Sequence, residues 1–283
     1  MPKKAFLEIT NACNLACDFC HGTKRPIHYL TIEEFTRAAS EARRFADYLY
    51  FHLMGEPLLH PKLGEFFRIA DSLGFRTIIT TNGTLLDQRR DVLLAAPSLH
   101  KVSISLHSYE ANHAGQTVGE YLDSCFRFCR DAADYGIIAV MRLWNIGGKD
   151  SLNDMIISRM HGFFDQSADA VWVKTYSGFR IRSKVFLEWG EKFDWPDENA
   201  EEVGGGHTCR GLHDQIGILS DGTVVPCCLD ADGSVNLGNI FSESIEDILS
   251  SKRAEELKKS LENRNIRERL CRRCGYAHMK DNR

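Results

Sequence analysis

The stretch that constrains this chain most is Cys13-Asn14-Leu15-Ala16-Cys17-Asp18-Phe19-Cys20, three cysteines within eight residues at C-x3-C-x2-C spacing. The span is too short for a core element and too rich in cysteine to be explained by packing. Thiolates gathered on one loop suit iron–sulfur or zinc chemistry. The next cysteine is Cys125, more than a hundred residues on. A cubane of four irons held by three thiolates keeps one iron open, and an open position marks a catalytic centre rather than a structural one. The alternative is a Cys3His zinc site completed by His21, whose adjacency to Cys20 strains that geometry.

A chain of 283 residues has room for one large domain and a small appendage. Hydrophobic residues make up 43% and charged residues 26%, as in a globular protein. A net charge of −4 leaves no global nucleic-acid footprint, and the basic stretch 264–273 reads as a solvated helix end. Met1-Pro2-Lys3-Lys4 leads straight into a strand-like run, with no signal peptide. No apolar run approaches the roughly 18 residues of a membrane span. Ten cysteines without a secretory signal point to a reducing, cytoplasmic setting and to metal thiolates rather than disulfides.

Strand and helix patterns alternate, which predicts parallel β/α units. Strands are expected at 6–10, 48–53, 75–80, 101–106, 137–143 and 170–176, and helices at 31–44, 61–73, 85–95, 118–135 and 152–164. Thr31 with Glu34 forms a capping box. The class is α/β, a partial (β/α)6 TIM-like barrel over residues 1–176, with its site at the C-terminal ends of the strands. Residues 177–206 break the pattern and read as a bridge. Residues 207–283 form a second module, a β-hairpin turning at Ser220-Asp221-Gly222 followed by a helix over 244–261.

Taken together, the cysteine loop resembles the signature of the radical S-adenosylmethionine (radical SAM) superfamily, down to Phe19 before the last cysteine. The resemblance implies a [4Fe–4S] cluster on Cys13, Cys17 and Cys20 whose open iron binds SAM. It also implies an electron from a reductant such as flavodoxin or ferredoxin, and release of a 5′-deoxyadenosyl radical. Met54-Gly55-Glu56-Pro57 resembles the family's Gly-Gly-Glu-Pro motif, with Met54 in place of the first glycine; an ordinary strand-to-helix turn is the plain alternative. Thr81-Asn82-Gly83-Thr84 is similar to a family segment near SAM, although Thr84 serves equally as a helix cap. Ser105 and His107 close the fourth strand, where relatives touch the SAM ribose; His107 is equally read as facing substrate or as a solvated loop residue. Arg142 and Asn145 end the fifth strand, and Arg142 suits a carboxylate of SAM or substrate or a structural salt bridge.

The second module contains Cys209, Cys227, Cys271 and Cys274, four thiolates from separated segments that suit a closed iron–sulfur or zinc site. Its C-x12-G-x4-C…C-x2-C pattern is similar to the SPASM/twitch extension of the same family, in the shorter form with one auxiliary [4Fe–4S] cluster. Cys228 is a spare beside Cys227. Cys125 and Cys129, at i, i+4 beside Leu122 and Phe126, read as core.

Substrate is where the sequence thins. Arg142, Lys174, Arg180, Arg182 and Lys184 follow the fifth and sixth strands, where they suit a phosphate or carboxylate, with a solvated loop as the alternative. Trp144, Tyr176 and Phe179 suit stacking on a planar base; Trp172 reads as barrel core. A first strand this near the start leaves no place for an N-terminal leader-recognition domain. The expectation is hydrogen abstraction from a small anionic metabolite, such as a nucleotide cleaved by a queuosine-type lyase that releases queuine. The alternatives are a radical dehydrogenase of a small alcohol or aminocyclitol, a peptide-maturing enzyme, and a non-catalytic iron–sulfur electron carrier.

Overall fold

In the computed structural model, residues 3–112, 117–166 and 171–281 are described. Met1, Pro2 and Ala170, the expected start of the sixth strand, lie outside them. The chain opens with β1 (Lys4–Leu7), α1 (Ile32–Arg43), β2 (Tyr48–Tyr50), α2 (Leu63–Ser72), β3 (Arg76–Thr81), α3 (Leu86–Leu94) and β4 (Leu99–Ser105). It continues through α4 (Ser108–Asn112), α5 (Val118–Asp134), β5 (Ile138–Ile146), α6 (Asn153–Phe164), β6 (Val173–Thr175), β7 (Gly178–Arg182) and β8 (Val185–Glu191). The last part holds β9 (Gln215–Ile218), β10 (Thr223–Val225), β11 (Gly238–Asn239), α7 (Ile245–Ser250), α8 (Lys252–Glu262) and α9 (Gly275–Asp281). Among the described residues no helix is long and apolar enough to cross a membrane.

Local chemistry explains the helices. Thr31 and Glu34 close the expected capping box on α1, and Phe35, Ala38, Ala39 and Ala42 form its buried stripe. A second box, Thr117 with Glu120, starts α5. Cys125 and Cys129 are fully buried on α5, as their spacing predicts. The expected helix over 61–73 runs from Leu63 to Ser72 with Lys62 at its N-cap, and a separate 3-10 turn at Pro57–Leu59, capped by the Glu56 side chain, precedes it. The helix expected over 244–261 is two helices, with Ser251 ending α7 and capping α8.

The sheet has eleven strands in the order β11-β10-β9-β1-β2-β3-β4-β5-β8-β7-β6. Strands β1 to β5 and β8 are parallel neighbours and form the partial barrel. The sixth parallel strand is therefore β8, not residues 170–176. The reason is burial: Val185 and Leu187 are 0% and 1% exposed, whereas Val171 and Val173 are 60% and 40% exposed. Residues 178–191 lie within the sheet as β7 and β8 rather than bridging to the next module, and β6–β7–β8 form an antiparallel meander. At the other edge β9 pairs in parallel with β1, so the sheet runs on into the C-terminal hairpin.

One buried carboxylate ties these parts together. Glu8, fully buried just after β1, accepts Arg25 Nη2 through both oxygens at 2.7 and 2.8 Å. It also accepts the Met54 amide at 3.1 Å and the Ser220 amide and hydroxyl at 3.1 and 2.9 Å. Arg25 in turn donates Nε to the Ala231 carbonyl. Removing one partner of a buried pair leaves the other charge uncompensated, which costs about 3–5 kcal/mol. Glu8→Ala is expected to lower the stability of the chain by that amount, read as a shifted urea midpoint; an unchanged midpoint would remove Glu8 from this role.

Candidate functional site

A cavity of about 270 Å³ opens at the C-terminal ends of the parallel strands. Cys13, Cys17 and Cys20 line one side of it, and Met54, Gly55, Glu56, Asn82, Ser105, His107 and Arg142 line the rest, with Phe19 and Trp144 as aromatic walls. None of the ten cysteines forms a disulfide. Three thiols lining one cavity are the soft donor type that an iron–sulfur cluster takes, while among the described residues no three Cys, His, Asp or Glu side chains are close enough to share a single metal ion. Burial pushes Cys17 up to about 11 and raises Cys13 and Cys20 as well. His21, the fourth ligand of the zinc alternative, is instead held by Asp232 Oδ2 at 3.1 Å.

The cysteine loop is fastened from four directions. Asn112 Nδ2 donates to Cys17 Sγ at 2.9 Å while its Oδ1 accepts the Ala16 amide at 2.8 Å. Asn82 Nδ2 donates to Asn14 Oδ1 at 2.8 Å. Trp195 Nε1 donates to the Phe19 carbonyl at 3.0 Å. Asp232 accepts the Thr23 hydroxyl and the Lys24 amide. Asn112, Trp195 and Asp232 carried no motif; each acts through a contact distant in sequence, so spacing alone held no signal for them.

The turn after β2 presses directly on this loop. The Glu56 amide donates to the Ala12 carbonyl at 2.8 Å. Gly55 has φ +78, and a Cβ there would stand 2.4 Å from the Thr10 carbonyl oxygen and 2.9 Å from that of Ala12. The Glu56 carboxylate accepts the Leu58 amide at 3.0 Å and the Asn82 amide at 2.7 Å. Burial outweighs those bonds and raises Glu56 to about 7. Burial also pushes His107 down to about 4, so its ring is neutral. His107 Nδ1 lies 3.1 Å from the Arg142 carbonyl, and the ring packs on Phe19 at 4.8 Å. The guanidinium of Arg142 stacks over Trp144 at 4.6 Å and stands 3.4 Å from Glu188. Gly190 makes room for Trp144, since a Cβ there would meet its ring at 2.8 Å. Asn145 turns away from the cavity and pairs with Asn153.

A second thiol set lies in the C-terminal module. Burial raises Cys209, Cys227, Cys271 and Cys274. Cys227 also feels Cys209 and Cys271, and Cys271 feels Cys209 and Cys274. Cys228 lines the first cavity instead, and burial pushes it up to about 12.

The residues read as contacting substrate divide. Lys174, Tyr176 and Phe179 line a second cavity of about 700 Å³ that shares Trp144 and Phe193 with the first. Arg180 is exposed on β7. Arg182 pairs with Asp134 at 3.3 Å, and Lys184 Nζ donates to the Gly136 carbonyl at 2.6 Å, so both fasten the end of α5. Of the basic set, only Arg142 reaches the cavity of the cysteines, and Lys192, which sequence reasoning passed over, joins it there. Trp172 is not barrel core: it stacks on His161 at 4.0 Å and donates to Asp165.

A family model for the radical SAM superfamily matches residues 7–155, and one for an iron–sulfur cluster-binding domain, SPASM, matches residues 209–275. The GTP 3′,8-cyclase of Chlorobaculum tepidum is 35% identical over 108 residues, 37% of this chain and 32% of that protein. The chain thus matches about a third of that relative's length. Among solved structures, BtrN in complex with AdoMet and 2-DOIA is similar with a TM-score of 0.59 at 19% identity, covering 97% of this chain and 93% of that one. Streptococcus suis SuiB bound to the precursor peptide SuiA is similar with a TM-score of 0.57 at 15% identity, covering 98% and 70%. At these identities the structural likenesses show the fold. Gly55→Ala is expected to combine a left-handed-region penalty with overpacking, together ~2–4 kcal/mol, and to weaken SAM binding by at least about tenfold. Equilibrium dialysis against SAM checks this, and unchanged affinity would show that the turn does not shape the site.

Proposed function

The chain belongs to the radical SAM superfamily and carries a SPASM-type iron–sulfur region, and on that premise we propose that it abstracts a hydrogen atom from a small anionic metabolite of nucleotide type, as a lyase or an oxidoreductase. As a member of that family it is an enzyme that works with SAM and [4Fe–4S] clusters. The observation that carries the reading is that three thiols, the Met54–Glu56 turn, Asn82 and Arg142 open on one cavity. We assign Cys13, Cys17 and Cys20 to the cluster that meets SAM, and Cys209, Cys227, Cys271 and Cys274 to the auxiliary one. Held by Cys13, Cys17 and Cys20 and given one electron from a flavodoxin or ferredoxin, the first cluster would supply, with SAM, the 5′-deoxyadenosyl radical.

The chain's own residues then do three things. The backbone of Met54, Gly55 and Glu56 receives the SAM amino group, Ser105 and His107 receive its ribose, and Asn82 fixes the loop between them. Phe19 and Trp144 wall the cavity and exclude water from a radical that would otherwise be quenched. Arg142 and Lys192 outnumber the one acid in the lining, Glu56, whose carboxyl burial raises to about 7, so the lining is net cationic. A cationic, small cavity favours an anionic metabolite, and the name of the Chlorobaculum relative places GTP among the family's substrates. A second reading, a peptide substrate, draws on the adjoining cavity of about 700 Å³ and on the peptide named with SuiB.

The test is anaerobic reconstitution with SAM and reductant, offering phosphorylated metabolites in one arm and short peptides in the other. A rise of 5′-deoxyadenosine by mass in the metabolite arm is expected, and a rise with peptides alone would replace the small-anion reading. Cys13→Ala is expected to abolish that product and Arg180→Ala to leave it. The Asn112 hydrogen bond stabilises negative charge on Cys17. Asn112→Leu is therefore expected to lower the potential of that cluster by about 40 mV, the one-electron equivalent of a ~1 kcal/mol hydrogen bond. Redox titration followed by electron paramagnetic resonance reads it; an unmoved potential would make Asn112 a loop fastener alone.

A further inference from the structure

Beneath the cavity lie polar groups that the chain itself does not satisfy. Among the described residues, His52 Nδ1, Ser103 Oγ and Arg142 Nε are buried and lack a hydrogen-bond partner. Buried polar atoms are normally paired, and an orphan costs free energy that some other group ordinarily recovers. The three are not scattered. Val102 and Ile104 on β4, and Met141 and Leu143 on β5, belong to the core on the helix side. Strand alternation therefore turns Ser103 and Arg142 toward the barrel axis. Thr80 on β3 is the register partner of Ser103, and Arg142 Nη1 donates to its hydroxyl at 3.5 Å. His52, just past β2, lines the same cavity as Thr80 and Arg142.

The charge balance here is positive. The charges that act on Lys101 are Arg142, Lys4 and Glu188. Burial first, then Arg142 and Lys101, push His52 down to about 3, so its ring is a neutral donor and acceptor. Of the buried acids, Glu8 is taken by Arg25, and Glu56, which lines the same cavity as His52, is raised to about 7 by burial. Arg142, Lys101 and Lys192 thus stand against two carboxyls, Glu56 on the cavity wall and Glu188, which lies 3.4 Å from Arg142 Nε, longer than a good N–H···O bond.

We propose that His52, Thr80 and Arg142, with Ser103 behind Thr80, form a subsite for an oxyanion of the substrate, a carboxylate or a phosphate. The proposal rests on the small-anion reading above and adds where the anion sits. A guanidinium offers paired N–H donors to either group, and the imidazole and hydroxyl add one each. An anion there offsets the positive charge and gives His52 Nδ1 and the Arg142 guanidinium a partner.

The test uses the full chain, anaerobically reconstituted, with S-adenosylhomocysteine in place of SAM and inorganic phosphate as the probe. Relaxation of the phosphorus resonance is followed with the clusters reduced, because the paramagnetic iron speeds relaxation of a phosphate held nearby. His52→Leu and Thr80→Val are each expected to weaken phosphate binding about tenfold. His52→Gln, which keeps a polar side chain, recovers part of the loss. Arg267→Ala is expected to change nothing, since Arg267 lies in a separate basic groove with Lys252 and Arg253. Competition by acetate extends the subsite to carboxylates, and its failure to compete assigns the subsite to phosphate. The proposal is overturned if phosphate binds the His52 and Thr80 variants as well as the parent. Loss of binding on Arg267→Ala, or phosphate binding that appears only when S-adenosylhomocysteine is left out, overturns it equally. Failure of the radical reading shows separately, as absence of 5′-deoxyadenosine under reductant in every arm.

Discussion

Glu8 is the interaction on which the rest of the structure depends. It sits at the end of β1 with no exposure to solvent, and its two oxygens bind the loop that follows the cysteines, the turn after β2 and the first turn of the C-terminal hairpin. A carboxylate so placed is costly to bury and is stable only because every neighbour it binds is in position. The fold of the cysteine loop is therefore not a local matter. Its far end is anchored through Arg25 to Glu8 and to the Ala231 carbonyl of the C-terminal module. The cavity takes shape where these three segments meet.

Much of the fold was legible because its signals are local. Capping boxes, strand alternation and the Ser220-Asp221-Gly222 turn act within a few residues, and they put α1, β3, β4 and the β9–β10 hairpin close to where they lie. The sixth strand was misread because residues 170–176, 178–182 and 185–191 all carry strand character, and pattern alone does not say which one buries its side chains against β5. Only tertiary burial of Val185 and Leu187 decides it. The same division runs through the site. The cysteines and the Met54–Glu56 and Asn82 segments lie together on one wall system, as contiguous motifs would. His52, Asn112, Lys192 and Trp195 reach it from strands and loops with no motif of their own, and the cationic residues grouped by their nearness in sequence point to different ends of the barrel.

The interior of the cavity selects which groups keep their charge. Burial holds His52 and His107 neutral and brings Glu56 to the edge of protonation near neutral pH. Arg142 stays charged although burial lowers it, because a guanidinium starts far above the physiological range and Glu188 supports the charged form. With the histidines neutral and Glu56 only partly ionised near neutral pH, the cations outweigh the acids in this space, and their field acts at low dielectric where each charge counts for more than in water.

The two thiol sets are joined more closely than their distance in sequence implies. Cys227 and Cys228 are consecutive, and both feel distal thiols, but only Cys228 also lines the cavity of the first set. That wall has little freedom to move. β9 runs in register with β1 over four residues, and a Cβ at Gly217 on β9 would already meet Val225, Leu53 and the Cys227 carbonyl within 3.0 Å. Asp232 and Trp195 grip the cysteine loop from the same side. A displacement at the distal thiols is thus transmitted to the cavity across one peptide unit rather than through a flexible linker. Through Cys228, next to Cys227, the second set adjoins the wall of the first cavity.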